Sequence, residues 1–499
     1  MLRSNFLYLA ACTAALVFIF SDSVFSQEQL GMRLERYAGI YSAGINPANT
    51  AFAPHNWEVS LFNADLFFEN NYAFLQNTSL QNALRNTDRI LSVADTSREN
   101  PPARDAILQE FFTLNRPMRG VVQARVGGPG FSFRIGNQHV VGITTAFRSN
   151  ISSYQIPEIL AYRTISSLPR NQAINIPPAG FAGMAWGEIG LHYSHLRDDG
   201  DLQMAWGVSP KILLGYEGFY SRAQSNFDYT QQIGDTVAFG SARWDYALTT
   251  ANLTDDADEA AVRRQGAGFG LDFGISWAMP AEDEAGGYAW RAGVSLVDAG
   301  MVRFKNTAQR HRIEFDTVIT ITNANFPPRD DAEAVLQDFS QAFLGDSAAS
   351  LRGRSFGIGL PTALSAQFDV RVARGVYIGG VLVQRVPLSK QSVKRPSTLA
   401  VVPRFEHRWA SFSLPLVLDD WQSLRVGAAV RLAWLYVGTD NVGSFFQKRR
   451  LSGADFYIGL KINGFSLNLG DGSSGYRLKK EGRGKPSGPN RRKIKCYQF

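Results

Sequence analysis

The stretch Leu202–Glu217 reads L-Q-M-A-W-G-V-S-P-K-I-L-L-G-Y-E. Its even positions are Leu202, Met204, Trp206, Val208, Pro210, Ile212, Leu214 and Tyr216. Its odd positions are Gln203, Ala205, Gly207, Ser209, Lys211, Leu213, Gly215 and Glu217. The first set is large and apolar, the second mostly small or polar. Side chains that alternate in this way belong to a β-strand, where neighbours point to opposite faces. The segment far exceeds the usual strand of about five or six residues.

The same period recurs along the chain. In Gly266–Trp277 one face is Ala267, Phe269, Leu271, Phe273, Ile275 and Trp277, and the other is mostly glycine. Leu424–Tyr436 reads as one long strand with Leu424, Val426, Val430, Leu432, Trp434 and Tyr436 on its apolar face. Tyr288–Leu296 and Phe456–Ile462 follow, with weaker copies at Trp57–Leu61, Phe131–Ile135 and Ile189–Tyr193. A membrane-spanning strand needs about 9–11 residues, apolar toward lipid, with aromatics near the interfaces. Trp206, Tyr216, Trp277, Tyr288, Trp434 and Tyr436 are placed at strand ends or outer faces, as such a girdle requires. A soluble β-sandwich also alternates, but its strands are shorter and its solvent face is uniformly polar. No stretch after the N-terminus approaches 18 apolar residues, so a crossing of lipid falls to a closed barrel.

The expected fold is therefore all-β, a transmembrane antiparallel barrel of 12–14 strands. The higher count holds if Ser411–Leu418 and Phe465–Leu469 are separate strands. Connections alternate between short ones (136–138, 197–201, 281–287, 374–375) and long ones (69–117, 151–181, 219–264, 306–353). Short periplasmic turns and long outer loops give this order. Two long connections read as helical. In Asp331–Leu344 the residues Leu336, Phe339 and Phe343 share a face, and Arg104–Phe112 looks similar.

Residues 1–26 read as a secretory signal, with Arg3 ahead of an apolar run from Phe6 to Phe20 and Val24-Phe25-Ser26 at the cleavage site. Leu9-Ala10-Ala11-Cys12 resembles a lipobox, but too few residues precede it and the apolar run continues past it. A leader over 27–55, a barrel over 56–470 and a basic tail over 471–499 complete the division. Cleavage removes Cys12 and leaves Cys496, so an internal disulfide framework is excluded. The net charge of +7 comes from the tail, where nine basic residues from Arg477 to Lys495 face Glu481 alone. The near-neutral body gives no support to nucleic-acid binding. The tail's composition predicts disorder. Parity of strands places it in the periplasm, with the leader. Arg491, Arg492, Lys493, Lys495 and Cys496 are candidate docking residues for envelope or secretion proteins or cell-wall carboxylates; a plain solvated tail is the alternative.

The runs L-Y-V-G-T-D-N (Leu435–Asn441), G-A-D-F-Y-I-G-L-K-I (Gly453–Ile462) and N-A-D-L-F-F-E-N-N-Y-A-F-L (Asn63–Leu75) resemble an uncharacterised outer-membrane β-barrel family of Bacteroidota-type envelopes, a domain of unknown function. That resemblance implies fold, outer-membrane lipid and Gram-negative location, and no reaction. Asn46-Pro47-Ala48, just ahead of the first strand, resembles the same segment in fatty-acid-transporter-type and type IX secretion-associated barrels. There the N-terminal stretch folds inward as a hatch. Pro47 lacks a donor and holds Asn46 extended, which suits a hatch. A simple turn into the first strand fits equally.

Catalytic and metal motifs are missing. His192-x-x-His195 would diverge on a strand, and Gly266-x-Gly268-x-Gly270 opens no helix. No Gly-x-Ser-x-Gly elbow or zinc pattern occurs, so no cofactor and no enzymatic activity is expected. On the polar faces fall Glu188, His192, Lys211, Glu217, Asp272, Arg291, Arg425, Arg431 and Lys461, expected to line the lumen. A mixed-charge interior fits a hydrated pore or a salt-bridged filling. Two functions follow: an envelope scaffold or accessory component of a larger machine, or a gated passive channel for small apolar or amphipathic molecules.

Overall fold

This computed structural model describes residues 28–92, 106–112, 117–157, 170–232, 236–251, 263–281, 287–329, 331–446 and 449–464. The signal, Phe465–Leu469 and the tail residues Arg491, Arg492, Lys493, Lys495 and Cys496 lie outside them. The described chain forms a closed antiparallel barrel of 14 strands. In chain order they are β1 (Trp57–Asn70), β2 (Met118–Gly127, continued by Gly130–Ile135), β3 (His139–Ile156), β4 (Gly180–Asp198) and β5 (Gln203–Ala223). There follow β6 (Gly266–Pro280), β7 (Tyr288–Phe304), β8 (Phe356–Gly359, continued by Ala363–Ala373), β9 (Val376–Arg385) and β10 (Thr398–Glu406). The last four are β11 (Ala410–Ser413, continued by Leu416–Asp419), β12 (Ser423–Val426, continued by Ala428–Leu432), β13 (Leu435–Thr439) and β14 (Gly453–Asn463). β14 closes on β1 from Glu58↔Asn463 to Glu69↔Gly453. Closure leaves no edge to hydrogen-bond lipid, which a membrane barrel requires.

The alternation sets which face looks out. On β5 Trp206 and Ile212 are exposed, whereas Ala205, Ser209, Lys211 and Leu213 are buried. On β6 Phe269, Leu271 and Phe273 point outward and Asp272 and Ser276 inward. Short connections (136–138, 199–202, 281–287, 374–375, 407–409, 433–434) gather at one end with the start of β1 and the end of β14. The opposite end carries the long connections and one tight turn at 420–422.

Three expectations need correction. Leu424–Tyr436 is not one strand. Ala433, with φ 53, and Trp434 make a turn between β12 and β13, so Tyr436 faces the lumen, only 2% exposed. Tyr288 is buried rather than in an outer girdle; a bulge between Met279 and Pro280 shifts its register on β6. Ile107–Phe111 is a strand, not a helix, pairing with Ala73–Leu75 and lying parallel to Ile90–Ser92.

The Asp331–Leu344 reading corresponds to a helix, Ala332–Leu344, capped by the Asp331 carboxylate on the Glu333 N–H (3.0 Å). It packs Leu336 and Phe343 against Tyr246, Ile313, Phe315 and Ile321. A four-stranded sheet (Ile174–Ile176, Phe227–Gln231, Val237–Phe239, Ile319–Ile321) adjoins it through Phe239 and Ile321. The long-connection end thus carries a small folded cap with its own apolar core.

Candidate functional site

The segment from Glu28 to Ala53 is buried almost throughout and runs among inward-facing wall residues. It contains one short helical turn, Leu30–Arg33, and two tight helical stretches, Arg36–Gly44 and Pro47–Phe52. Local chemistry explains the second stretch. Asn46 is extended (φ −154°, ψ 113°) because Pro47 follows it, and its side-chain oxygen accepts the Ala48 N–H at 2.9 Å. Pro47 occupies a first helical position, where no donor is needed.

With its oxygen committed to the cap, Asn46 turns its amide nitrogen to the wall. It donates to Ser276 Oγ (3.0 Å) on β6 and Gln367 Oε1 (2.9 Å) on β8. The neighbouring inward positions are Gly207, Gly274 and Gly293. A Cβ on Gly207 would come within 2.5 Å of the Pro47 carbonyl carbon, and one on Gly274 or Gly293 would strike the Asn46 amide. The glycines opposite bulky outward residues therefore make room for Asn46-Pro47-Ala48. Thr50 continues the contact, bonding His192 Nε2 (2.6 Å) and Ser194 Oγ (2.8 Å).

Charge holds the rest. Lys461 donates to the Tyr37 carbonyl (2.8 Å), the Ala38 carbonyl (2.5 Å) and Glu58 Oε2 (2.7 Å). Arg431 pairs with Glu35 at 2.8 Å, and Arg291 donates to the Leu34 carbonyl at 2.7 Å. Burial pushes the Glu35 carboxyl upward, partly offset by Arg431. A further group joins Lys211 to Asp272 (2.7 Å) and Asp298 (2.8 Å), and Arg148 to Asp298 (2.8 Å) and Glu188 (3.1 Å). Asp298 sits at φ 54 in a β7 bulge, which aims its carboxylate inward and lets its N–H donate to Asp272. Buried charges demand such partners.

One expected lumen residue lies elsewhere. Glu217 sits at a β5 bulge and accepts from Thr249 (2.5 Å) and Gln265 (2.9 Å) beyond the charged groups. Arg425 does point inward, between the outward Leu424 and Val426, and pairs there with Asp419, 3.6 Å from Glu69, toward the long-connection end. His192 is buried inside, while His195 stacks beside His139 and Trp206 on the outer side, so the pair diverges. Among the described residues no group of three or more His, Cys, Asp or Glu side chains is placed to hold a metal.

Sequence reasoning missed Glu35, Glu58, Arg148, Asp298, Asp369, Arg404 and Glu406. Arg404 alone bonds Asp369, Tyr288 (2.9 Å) and Glu406 (2.6 Å). It also missed an apolar half of the lumen. Leu30, Leu34 and Ile45 pack on Val297, Val381, Val383, Val402 and Val417. The residual space beside the segment is a cavity of about 70 Å³ lined by Arg33, Asp65, Arg125, Arg148 and Lys211. Burial, with Arg125 and Arg395 nearby, pushes the Arg33 guanidinium down to about 10.

A family model, a family of unknown function termed DUF5723, matches residues 47–440. The chain belongs to the DUF5723 family. Among curated proteins no relative matches. Among solved structures the chain is similar to a TodX deltaS2S3 mutant monoaromatic hydrocarbon channel (9% identity, 85% of this chain and 94% of that one, TM-score 0.37). It is also similar to the Ralstonia pickettii toluene transporter TbuX (9%, 89% and 99%, TM-score 0.29). A Pseudomonas aeruginosa FadL homologue is a third (7%, 88% and 100%, TM-score 0.21). This DUF5723 chain has the barrel fold of outer-membrane proteins.

Proposed function

We propose that the protein is a non-enzymatic outer-membrane conduit for small amphipathic molecules, closed by its own N-terminal segment, with both barrel termini in the periplasm. The seat of Asn46-Pro47-Ala48 on Gly207, Gly274 and Gly293 carries this reading. A barrel filled only by the side chains of its own strands needs no such glycine seat. Here the wall is hollowed by glycine to admit a separate segment. Much of the wall it covers, including Lys211, Asp272, Arg148 and Glu188, is polar enough to face water if that segment leaves. The apolar patch around Val381 and Val402 gives an amphipathic solute a second surface.

Single-channel conductance in planar bilayers tests it, with the whole protein and with residues 27–54 deleted. The expected result is a silent whole protein and an open truncation. Silence in both would sink the conduit. The scaffold reading is favoured by a different observation, the folded cap around the helix Ala332–Leu344. A partner recovered through the cap or through residues 477–499 would support it.

A further inference from the structure

At the long-connection end, the loop 386–397 between β9 and β10 turns into the barrel mouth. Its Lys394 N–H donates to Ser152 Oγ on β3 (2.8 Å), and its Val393 N–H to the Gly359 carbonyl on β8 (3.1 Å). The Val393 side chain is buried in a core with Tyr220, Phe356 and Leu360. Between this loop and the ends of β3, β4 and β5 lies a cavity of about 450 Å³. That is the size of a small-molecule site.

The lining is unlike the rest of the interior. Phe181, Tyr220, Pro387 and Leu388 give it an apolar wall, and Arg222, Lys390 and Lys394 give it charge. No acidic side chain is among its described lining residues. Deeper in the lumen the clustered cations meet carboxylates; here, among the described residues, three cations line one cavity without one. Lys394 is held below its usual range by burial and by Arg385 and Arg222. Both Arg385 and Lys394 lie over the Tyr154 ring, at 4.3 and 5.4 Å, which fixes the charged side of the cavity. A positive, partly buried corner beside an apolar wall recognises one chemistry.

We infer that this mouth binds a small amphipathic organic anion, with its carboxylate or phosphate between Arg222, Lys390 and Lys394 and its apolar body against Tyr220 and Leu388. The loop also reaches the closing segment. Arg395, one residue past Lys394, places Nη2 3.4 Å from Glu28 and 3.8 Å from Asp298. An anion that draws Lys390 and Lys394 toward itself pulls on the Arg395–Glu28 contact at the start of that segment. This second step rests on the segment being a gate; the binding step does not.

The test uses the full chain in nanodiscs of zwitterionic lipid. Equilibrium dialysis of labelled octanoate, octyl phosphate and octanol is corrected for empty discs. Both anions should bind at least about tenfold tighter than octanol. Lys390→Gln with Lys394→Gln should abolish that preference and keep octanol binding, which also reports that the mouth is folded. Equal binding of octanol and octanoate, or a preference that survives the double change, overturns the site. Lipopolysaccharide added to the disc separates the sources. Displacement of octanoate assigns the site to a lipid phosphate, and undisturbed binding to a soluble anion; both support it. Conductance then tests the coupling. Octanoate should open the protein and Arg395→Gln should bind octanoate but not open. Octanoate binding with no opening in the unaltered protein leaves the site standing and removes the coupling.

Discussion

Gly207 brings the wall against the backbone of the N-terminal segment, 2.5 Å from the Pro47 carbonyl carbon once a Cβ is imagined there. Gly207→Val should unseat the segment, since overpacking costs about 1–3 kcal/mol at a tight contact. Trypsin would then cut at Arg33 or Arg36, both buried in the intact protein, and conductance bursts would appear. Unchanged protection in a correctly folded barrel would refute the seat. His55 offers a second handle. It lies just before β1, bonded to Asn463 (3.1 Å), and burial first, then Lys461, Arg431, Arg134 and Arg36, hold its imidazole well below 6.5. The released state therefore binds more protons below pH 6.5, and stability of the docked state falls as pH drops through that value. Glu35, pushed upward by burial, acts in the opposite sense. Comparing His55→Gln with the unaltered protein isolates the histidine. Unfolding followed from pH 7.5 to 5.5 should lose part of its acid sensitivity in the variant; identical slopes would rule the effect out.

At the scale of elements, strands with one polar face were legible and strands apolar on both faces were not. β5 and β6 alternate clearly because their inner faces meet Asn46, Pro47 and Asn49 and one another's charges. In β10 and β11, Leu399, Val401 and Leu416 face out while Ala400, Val402 and Val417 face in. A run apolar on both sides loses its period, so strand number after Ser397 stayed open in the sequence. Ile107–Phe111 looks helical in the sequence for a related reason: its partners, Ala73–Leu75 and Ile90–Ser92, are separate segments, and only those pairings make it a strand. The helix Ala332–Leu344 was readable because its capping residue and apolar stripe are local. Phe343→Ala should destabilise the cap by about 3–5 kcal/mol, as removal of a buried Phe does. Hydrogen exchange should speed up in Val237–Phe239 and Ile319–Ile321 and not in β14. Exchange rising equally in both would mean that cap and barrel unfold together.

For the whole molecule, the barrel could be deduced from its lipid face, because lipid imposes one simple rule on every outward side chain. The interior obeys no such rule. Whether Arg431 meets water, a loop or Glu35 depends on which segment occupies the lumen, and Glu35 is 396 residues away in sequence. Asn46-Pro47-Ala48 was noticed as a motif, but its wall partners were hidden among ordinary strand glycines. If the segment is held only by the contacts described, it need not be covalently joined to β1. A peptide of residues 27–54 added to the truncated barrel should restore silence in the bilayer, saturably. A truncation that stays open at saturating peptide would show that the leader closes the pore only while attached.

The separation of Glu35 from Arg431 also fixes an order of events in time. Glu35, Tyr37 and Ala38 find partners on β12, β13 and β14, the last strands to be made. Lys461 is positioned to grip Tyr37 and Ala38 only after β14 has met β1. The segment made early reaches these partners only once the last strands exist, and contacts of such long range form slowly. Docking of the segment on these strands is consequently expected among the last steps of folding.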